Sequence, residues 1–290
     1  MLLSFLFALP ALAAKDLNIA ADYWPPFTSE QEGQRIAADL VEKALRKAGF
    51  IPKTKIVAWK QVIAGVKTQR FDAIIGAWKN KDREAYLQFS EPYLENRIML
   101  IGRKDNAFNF ENINQLTNKK VAIVAGYAYG PELTDNTVFK KVTGKSDSEN
   151  IKKLVAKKVD FMLADAIVAK AMQEHLPAEI KDNLVVYDKI VTFQQLYFAV
   201  RKDHPRVTDI INQFNAAISQ LIADGSYNKI LGISWILADT NNDGIYEYIA
   251  GDNISSSAGD PEQNHSGYQV MSPINPDNES LAKKPLLQYF

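Results

Sequence analysis

The stretch that decides the fold is FDAIIGAWKNKDREAYLQFSEPY, residues 71–93 of the 290-residue chain. A short β-branched strand is predicted from Ala73 to Gly76, and the polar turn after it presents one arginine, Arg83. A strand end with free backbone amides beside a guanidinium suits the capture of a small anion such as a carboxylate. The alternative is an ordinary strand–helix unit whose Arg83 lies on a solvated face.

Length, charge and cysteine content restrict the class of protein. A chain of 290 residues can form one large domain or two medium ones, and its 34 lysines and arginines balance 34 aspartates and glutamates. The lysines are spread along the chain, so no electrostatic field favours nucleic acid or an anionic membrane. The chain has no cysteine, which excludes thiol catalysis, thiolate metal sites and a lipid anchor on cysteine.

An export signal is predicted at residues 1–14, MLLSFLFALPALAA. The run is short and apolar, and its Ala-Leu-Ala end supplies a cleavage pattern before Lys15. No positive charge precedes it, which leaves open a start further upstream; a buried N-terminal strand or helix is the alternative. No later segment reaches the roughly 20 apolar residues of a membrane span. We therefore expect an exported mature protein that is freely soluble.

Strand and helix patterns alternate through most of the chain. Apolar residues recur at helical spacing over residues 36–48 and 205–223, and a glycine follows each run at Gly49 and Gly225. Strands are predicted at 17–21, 71–76, 121–124, 161–164, 184–187 and 196–200. This alternation indicates an α/β fold with largely parallel sheets.

Several short motifs occur together in a fixed order. They are Tyr23-Trp-Pro-Pro-Phe27, the run from Trp59 to residue 75, Asp82-Arg83, Phe89-Ser-Glu-Pro-Tyr93, residues 196–203 and residues 222–235. As an ordered set they resemble the bacterial periplasmic solute-binding proteins of family 3, the polar-amino-acid type. The resemblance implies an α/β, two-lobed periplasmic-binding-protein fold of type II. Its ligand cleft would lie between lobes joined by two crossover strands and would close on the ligand.

The resemblance also implies how the chain divides. Residues 15–103 would form the first part of lobe 1, residues 104–193 lobe 2, and residues 194–238 the return to lobe 1. The crossovers would fall near residues 101–104 and 192–196. Residues 239–290, rich in Asn, Asp, Ser, Gly and Pro, would form a polar tail that is mostly irregular from residue 255.

Roles in the cleft follow from the same resemblance. Arg83 would pair with the α-carboxylate of the ligand through its planar fork, and Asp165 would hold the α-ammonium. Trp24 and Trp59 would sandwich the ligand side chain, with plain core packing as the alternative. For Arg83 and Asp165 the alternative is an ion pair unrelated to any ligand.

Two positions depart from the family pattern. Gly76-Ala-Trp78 stands where amino-acid binders place small hydroxyl residues, and Gly126-Tyr127-Ala replaces their Gly-Thr-Thr. Both changes remove hydroxyl donors and add aromatic surface. Gly76, Trp78 and Tyr127 therefore join the predicted ligand-binding residues. They leave open a ligand that is aromatic, a cationic amine or not an α-amino acid.

A calcium-like loop lies in the polar tail. It places oxygen ligands at positions 1, 3, 5 and 9 of the loop and a glycine at position 6, through Asp239, Asn241, Asp243 and Glu247. Position 12 is Ala250, so the loop is not a complete EF-hand. A structural Ca²⁺ is predicted here, with an Asx-rich turn as the alternative. No other cofactor is expected.

Binding rather than catalysis is the function that these patterns favour. The sequence has no nucleophile elbow, phosphate loop or dinucleotide fingerprint, and its three histidines lie far apart. We expect a monomeric periplasmic receptor that delivers an amino acid, or a related small carboxylate or amine, to an inner-membrane ABC permease. The alternatives are a cyclohexadienyl dehydratase-like enzyme with Glu132 or Asp165 as its acid, and a sensory ligand-binding protein.

Overall fold

The computed structural model describes residues 15–31, 35–135, 137–231, 235–238 and 247–250. The predicted export signal, the tail beyond residue 250, and Asp239, Asn241 and Asp243 of the calcium-like loop lie outside these residues. Signal cleavage and the calcium site therefore stay predictions.

Most strands join one mixed sheet. Its members are β1 (Lys15–Ala21), β2 (Phe50–Ile56), β3 (Ala73–Trp78), β4 (Leu87–Arg103), β5 (Lys120–Val124), β6 (Lys140–Gly144), β7 (Phe161–Asp165) and β8 (Leu184–Arg201). Across the sheet the strands run in the order β2-β1-β3-β8-β4-β7-β5-β6. A separate antiparallel pair is formed by β9 (Trp235–Ala238) and β10 (Glu247–Ala250).

Helices fill most connections between the strands. They are α1 (Ile36–Lys47), α2 (Trp59–Lys67), α3 (Lys81–Glu84), α4 (Pro131–Thr134), α5 (Asp147–Val155), α6 (Ala166–His175), α7 (Ala178–Lys181), α8 (Val207–Ala223) and α9 (Ser226–Leu231). Gly49 and Gly225 adopt φ values of 80° and 72° just after α1 and α8. Glycine takes this left-handed conformation without strain, which confirms the two predicted helix ends. Within the described ranges, no helix is both long and apolar enough to cross a bilayer.

The strands β4 and β8 run through the whole sheet as antiparallel neighbours. At one end β8 also pairs with β3, and at the other end Ile98–Ile101 of β4 pair with Met162–Asp165 of β7. We call residues 15–94, together with the return segment 197–231, the first half of the molecule, and residues 98–187 the second half. Residues 98–101 of β4 already pair with the second half, and the predicted lobe boundaries stay predictions.

The central pairings make the sheet mixed, where a largely parallel one was predicted. The β1–β2, β1–β3, β5–β6 and β5–β7 pairs are parallel, whereas β3–β8, β4–β7 and β4–β8 are antiparallel. The sequence pattern divided β8 into two short strands because residues 188–195 are mostly polar. Backbone pairing with β4 keeps this segment extended in spite of its composition.

The Phe-Ser-Glu-Pro-Tyr motif has a structural role in β4. The hydroxyl of Tyr93 donates to the carbonyl of Ile75 at 2.9 Å, and Ser90 Oγ accepts from the backbone N–H of Phe198 at 3.1 Å. The ring of Phe214 in α8 packs 4.5 Å from that of Phe198 and 6.0 Å from that of Tyr93. The motif therefore fixes β4 against β3 and β8, and it anchors α8 on them.

Candidate ligand site between the two halves

A small cavity lies between the two halves, and most of the predicted site residues line it. Its volume is about 20 Å³, roughly the room of one or two water-sized spheres. The lining consists of Asp22, Trp24, Trp59, Gly76, Trp78, Arg83, Tyr127 and Leu196. Six of the seven predicted ligand-binding residues thus come together, and Asp165 does not belong to the wall.

Arg83 is held in place by the short helix after β3. Asn80 caps this helix, and its Oδ1 accepts from the backbone N–H of Arg83 at 2.9 Å. The guanidinium donates from Nη1 to the carbonyl of Trp78 and from Nη2 to that of Gly126, the latter at 2.7 Å. The ring of Trp59 lies 4.8 Å from its central carbon, a cation–π distance.

The burial of Arg83 decides between its two interpretations. Its side chain is 5% exposed, which excludes a place on a solvated face. Burial lowers the pKa of Arg83 to about 10, so the guanidinium stays charged at neutral pH. A buried cation at the wall of a cavity can attract an anionic group of a ligand, and the predicted contact of Arg83 with a ligand carboxylate stays a prediction.

Four aromatic rings line the cavity, and a fifth, that of Tyr129, packs against them. The ring of Tyr127 lies 5.2 Å from that of Trp78, 6.0 Å from Trp59, 6.1 Å from Trp24 and 6.0 Å from Tyr129, measured between centroids. Its contacts with the three tryptophans are edge-to-face, a geometry that aromatic pairs favour. The tryptophans belong to the first half and the tyrosines to the second, so the cluster joins the halves.

Four hydrogen bonds also connect the halves at this point. They run from Arg83 Nη2 and Trp59 Nε1 to the carbonyl of Gly126, at 2.7 and 3.1 Å, from the hydroxyl of Tyr127 to Asp22 Oδ2, at 2.8 Å, and from Trp24 Nε1 to Asp147 Oδ2, at 3.1 Å. Three of the four use an aromatic side chain as donor. The aromatic residues therefore supply both the wall of the cavity and the polar contacts across it.

Gly126 is required at its position for two reasons. Its φ is 79°, and a Cβ atom built there would lie 3.3 Å from Cδ1 of Trp59. Any other residue would strain the backbone and press on the indole ring. The glycine thus permits both the turn after β5 and the close approach of Trp59.

The cavity includes a carboxylate, Asp22, that the sequence did not single out. It directly follows β1 and is half-buried. Burial raises the pKa of Asp22, while the hydrogen bond from Tyr127 and the charge of Arg83 act in the opposite direction. Its position directly after a strand is the sequence signal that could have identified it as a site residue.

A second carboxylate, Asp147, contacts Trp24 of the cavity wall from the other half and, like Asp165, is not itself a lining residue. It is the first residue of α5 and is 6% exposed. Burial raises its pKa to about 7, with smaller contributions from the charges of Asp22 and Asp165. In the sequence it follows Ser146 and appears as an ordinary acidic residue of a first helical turn. No sequence signal distinguished it as a site residue.

Asp165 lies behind the wall at the start of α6. It is 3% exposed, and its Oδ1 accepts from the backbone N–H groups of Ile167 and Val168 at 2.8 and 3.2 Å. Its Oδ2 accepts from Asn96 Nδ2 at 3.2 Å and from the backbone N–H of Arg97 at 3.0 Å. Burial raises the pKa of Asp165 to about 6 against the effect of these bonds. Helix capping accounts for an aspartate here, and its role toward an α-ammonium stays a prediction.

Asn96 links the ring cluster to this capping group. Its Oδ1 accepts from Trp78 Nε1 at 2.8 Å, and its Nδ2 donates to Asp165. Asn96 is fully buried in β4 between the two halves. Within the described residues, no group of three histidine, cysteine or acidic side chains is arranged to hold a metal ion.

The model of the bacterial extracellular solute-binding proteins, family 3, matches residues 17–235 of the chain. The chain belongs to this family. The L-cystine-binding protein TcyJ of Escherichia coli (strain K12) is 26% identical over 221 residues, which cover 74% of this chain and 80% of TcyJ. The ABC transporter arginine-binding protein 1 of the same organism is 25% identical over 240 residues, or 79% of this chain and 94% of that protein.

Solved structures share the architecture at lower sequence identity. An ancestral arginine-binding protein bound to arginine matches with a TM-score of 0.64 and 21% identity, over 75% of this chain and 96% of that one. A histidine kinase sensor domain with similarity to periplasmic binding proteins matches with a TM-score of 0.66 and 16% identity, over 76% and 95%. These likenesses confirm the predicted type II, two-lobed α/β fold.

Proposed function

We propose that the protein captures an amino acid, or a related small carboxylate or amine, in the cavity between its halves. It then delivers this ligand to an inner-membrane ABC permease, as a monomeric periplasmic receptor. The observation that carries the proposal is the convergence of four aromatic rings and the buried guanidinium of Arg83, drawn from both halves, on one cavity. The cystine- and arginine-binding functions of the relatives named above support it.

Ligand capture follows from the way in which the halves are connected. At residues 95–97 of β4 and 188–196 of β8, which we call the hinge, the chain passes between the halves. A ligand that contacts both walls stabilises the closed arrangement relative to an open one, since only the closed form offers all its contacts. Arg83 lies at the first wall and contacts the second through Gly126, so it acts where the walls meet.

Thermal unfolding with a ligand panel tests the proposal. The mature chain is first unfolded and refolded to remove bound ligand, then heated with each amino acid and with simple amines. A ligand at a hundred times its Kd stabilises by about 2.7 kcal/mol, which raises the Tm of a protein of this size by roughly 5–10 °C.

Two arginine variants test whether the ligand that stabilises the protein binds at the proposed cavity. Arg83→Ala is expected to abolish the stabilisation, whereas Arg46→Ala, on the exposed side of α1, should leave it unchanged. If no compound in the panel raises the Tm, and if Arg83→Ala behaves like the unmodified chain, then the proposed site is wrong.

A dehydratase is the second candidate, and one observation favours it. The carboxyl groups of Asp147 and Asp165 have pKa values raised by burial to about 7 and about 6, as a general acid requires near neutral pH. Glu132, the other predicted acid, is exposed and lacks the required desolvation. Incubation with prephenate, followed by detection of phenylpyruvate, decides the question: turnover would replace the receptor function with an enzymatic one.

A further inference from the structure

Lysines that are distant in sequence meet at one end of the second half. Lys120 of β5 is the register partner of Lys140 of β6, and the carbonyl of Lys119 accepts from the backbone N–H of Lys140 at 2.8 Å. The carbonyl of Lys120 accepts from the backbone N–H of Asp160 at 2.8 Å, which brings the turn before β7 beside β5. We call the resulting surface the basic edge; it consists of Lys119, Lys120, Lys140, Lys157 and Lys158.

The basic edge has little negative charge of its own. Within the described residues, Lys157 alone among the five makes an ion pair, with Asp105 Oδ2 at 2.6 Å, and Arg103 shares that carboxylate. The neighbouring Asp160 uses its Oδ2 to accept from the backbone N–H of Lys120 at 2.8 Å. Four of the five lysines are exposed and one is half-buried. The edge therefore keeps a surplus of accessible positive charge.

The basic edge lies away from the cavity. The pairs β5–β6 and β5–β7 are parallel, and the lysines stand at the N-terminal ends of these strands. The C-terminal ends of the same strands lead to Gly126, Asp147 and Asp165, close to the cavity. A partner at the basic edge and a ligand in the cavity therefore use different groups.

The net charge of zero conceals a division between two parts of the chain. Residues 15–238 contain 32 lysines and arginines and 26 aspartates and glutamates, a net charge of +6, whereas residues 239–290 contain 2 and 8, a net charge of −6. A balanced total therefore does not exclude a strong local field. We call residues 251–282, which have no lysine or arginine, the acidic segment. Its five acidic residues are Asp252, Asp260, Glu262, Asp277 and Glu279.

The acidic segment is long enough to meet the basic edge. It begins directly after β10, and a chain of its 32 residues can span up to about 110 Å. A folded unit of about 220 residues has a radius of gyration of only about 17 Å. Because the segment is tethered, its concentration at the folded part is about millimolar whatever the protein concentration.

We infer that the basic edge of the second half binds the acidic segment of the same chain, through ion pairs between its carboxylates and these lysines. The complementary charges carry this inference, which does not depend on what the cavity binds. A free basic edge would attract anionic phospholipid head groups instead. The acidic segment thus decides whether this end of the protein stays off a membrane surface.

Zero-length cross-linking of the full mature chain tests the contact directly. A carbodiimide joins a carboxylate to a lysine only where the two touch, and mass spectrometry then identifies the pair. Each exposed ion pair is worth about 1.4- to 5-fold in an equilibrium, so five pairs give about fivefold or more. Cross-links between the acidic segment and the basic edge should fall by that factor at 1 M salt, where the Debye length is about 3 Å.

An equimolar mixture with isotope-labelled protein separates contacts within one chain from contacts between chains. The inference predicts cross-links within one chain. Cross-links that are absent, that form only between chains, or that reach only other exposed lysines such as Lys43 and Lys202 overturn it.

A neutralised acidic segment removes the partner without shortening the chain. The segment variant carries Asp252→Asn, Asp260→Asn, Glu262→Gln, Asp277→Asn and Glu279→Gln. Lysines of the basic edge should then be acetylated about fivefold faster or more than in the unmodified chain, while Lys43 and Lys202 react at an unchanged rate.

A control variant reaches the same net charge by changes outside the acidic segment. It replaces five exposed acidic residues with their amides, namely Glu30, Glu91, Glu174, Glu179 and Asp182. It should leave acetylation of the basic edge unchanged. If the control variant accelerates that reaction as much as the segment variant does, or if neither variant accelerates it, then the inference is wrong.

Vesicles of phosphatidylglycerol distinguish the acidic segment from a membrane as the occupant of the basic edge. The segment variant should sediment with the vesicles more than the control variant, because only in the former are the lysines uncovered. If the unmodified chain and the segment variant sediment to the same extent, then the basic edge is a membrane-binding surface and its assignment to the acidic segment is wrong.

Discussion

The buried carboxyl group of Asp147 is expected to make the ligand-free protein less stable as the pH rises. Burial raises its folded-state pKa to about 7, whereas an aspartate in an unfolded chain titrates near about 4. Between these values the folded protein binds more protons than the unfolded chain, so the free energy of unfolding falls with increasing pH. The loss begins near the unfolded pKa and is complete just above the folded one.

The pKa difference sets the size of this effect. About three pKa units at roughly 1.4 kcal/mol each give an upper limit of about 4 kcal/mol at pH values above 7. Asp22 and Asp165 act in the same direction, because burial raises their pKa values too. These three carboxyl groups should therefore lower the free energy of unfolding of the unmodified protein steadily as the pH rises from about 4 to about 8.

The variant Asp147→Asn isolates the contribution of one carboxyl group. Relative to the unmodified chain, its free energy of unfolding should be similar near pH 4 and higher by up to about 4 kcal/mol near pH 8. Urea unfolding of refolded, ligand-free protein, followed by tryptophan fluorescence, measures both values. Asp182→Asn, whose carboxyl group is exposed, should show no such divergence. A difference between Asp147→Asn and the unmodified chain that stays constant with pH would refute the reasoning.

Three further predictions follow from the contacts between the halves. Tyr127→Phe removes the hydroxyl that bonds Asp22 across the cavity and should cost about 1–2 kcal/mol in urea unfolding. Gly126→Ala should lose more stability than Gly49→Ala, since both residues have a positive φ but only the Gly126 Cβ would press on Trp59; equal losses would show that the contact is unimportant. Arginine binding near pH 6 should release protons, because a bound cation lowers the raised pKa values of the carboxyl groups near the cavity. Calorimetry in buffers of different ionisation enthalpy measures this release.

The wall of the cavity was predictable from the sequence to a large extent. Arg83, Trp24 and Trp59 belong to ordered motifs, while Trp78 and Tyr127 attracted attention because they replace small residues within those motifs. Each of these positions is fixed by a strand end or a turn close by in the chain. Local patterns are therefore sufficient to locate them.

The acidic residues were harder to predict because their significance arises from distant contacts. Asp147 looks like any acidic residue in a first helical turn, and only its hydrogen bond to Trp24, 123 positions away, places it at the cavity. Asp165 has a motif that predicted a ligand contact, and this contact stays a prediction; the capping of α6 by its oxygens could not be read from that motif. The polar middle of β8 was missed because β4, far away in sequence, holds it extended.

The side chain of Asn96 connects the hinge to the wall of the cavity through hydrogen bonds. Its amide joins Trp78 of the cavity wall to the aspartate at the start of α6, across the strand about which the halves would swing. A shift of Trp78 would therefore reach β4, between the halves, through this amide as well as through the packed side chains around the ring. An apolar side chain of similar size at position 96 would remove the hydrogen-bonded part of this connection and leave the packing.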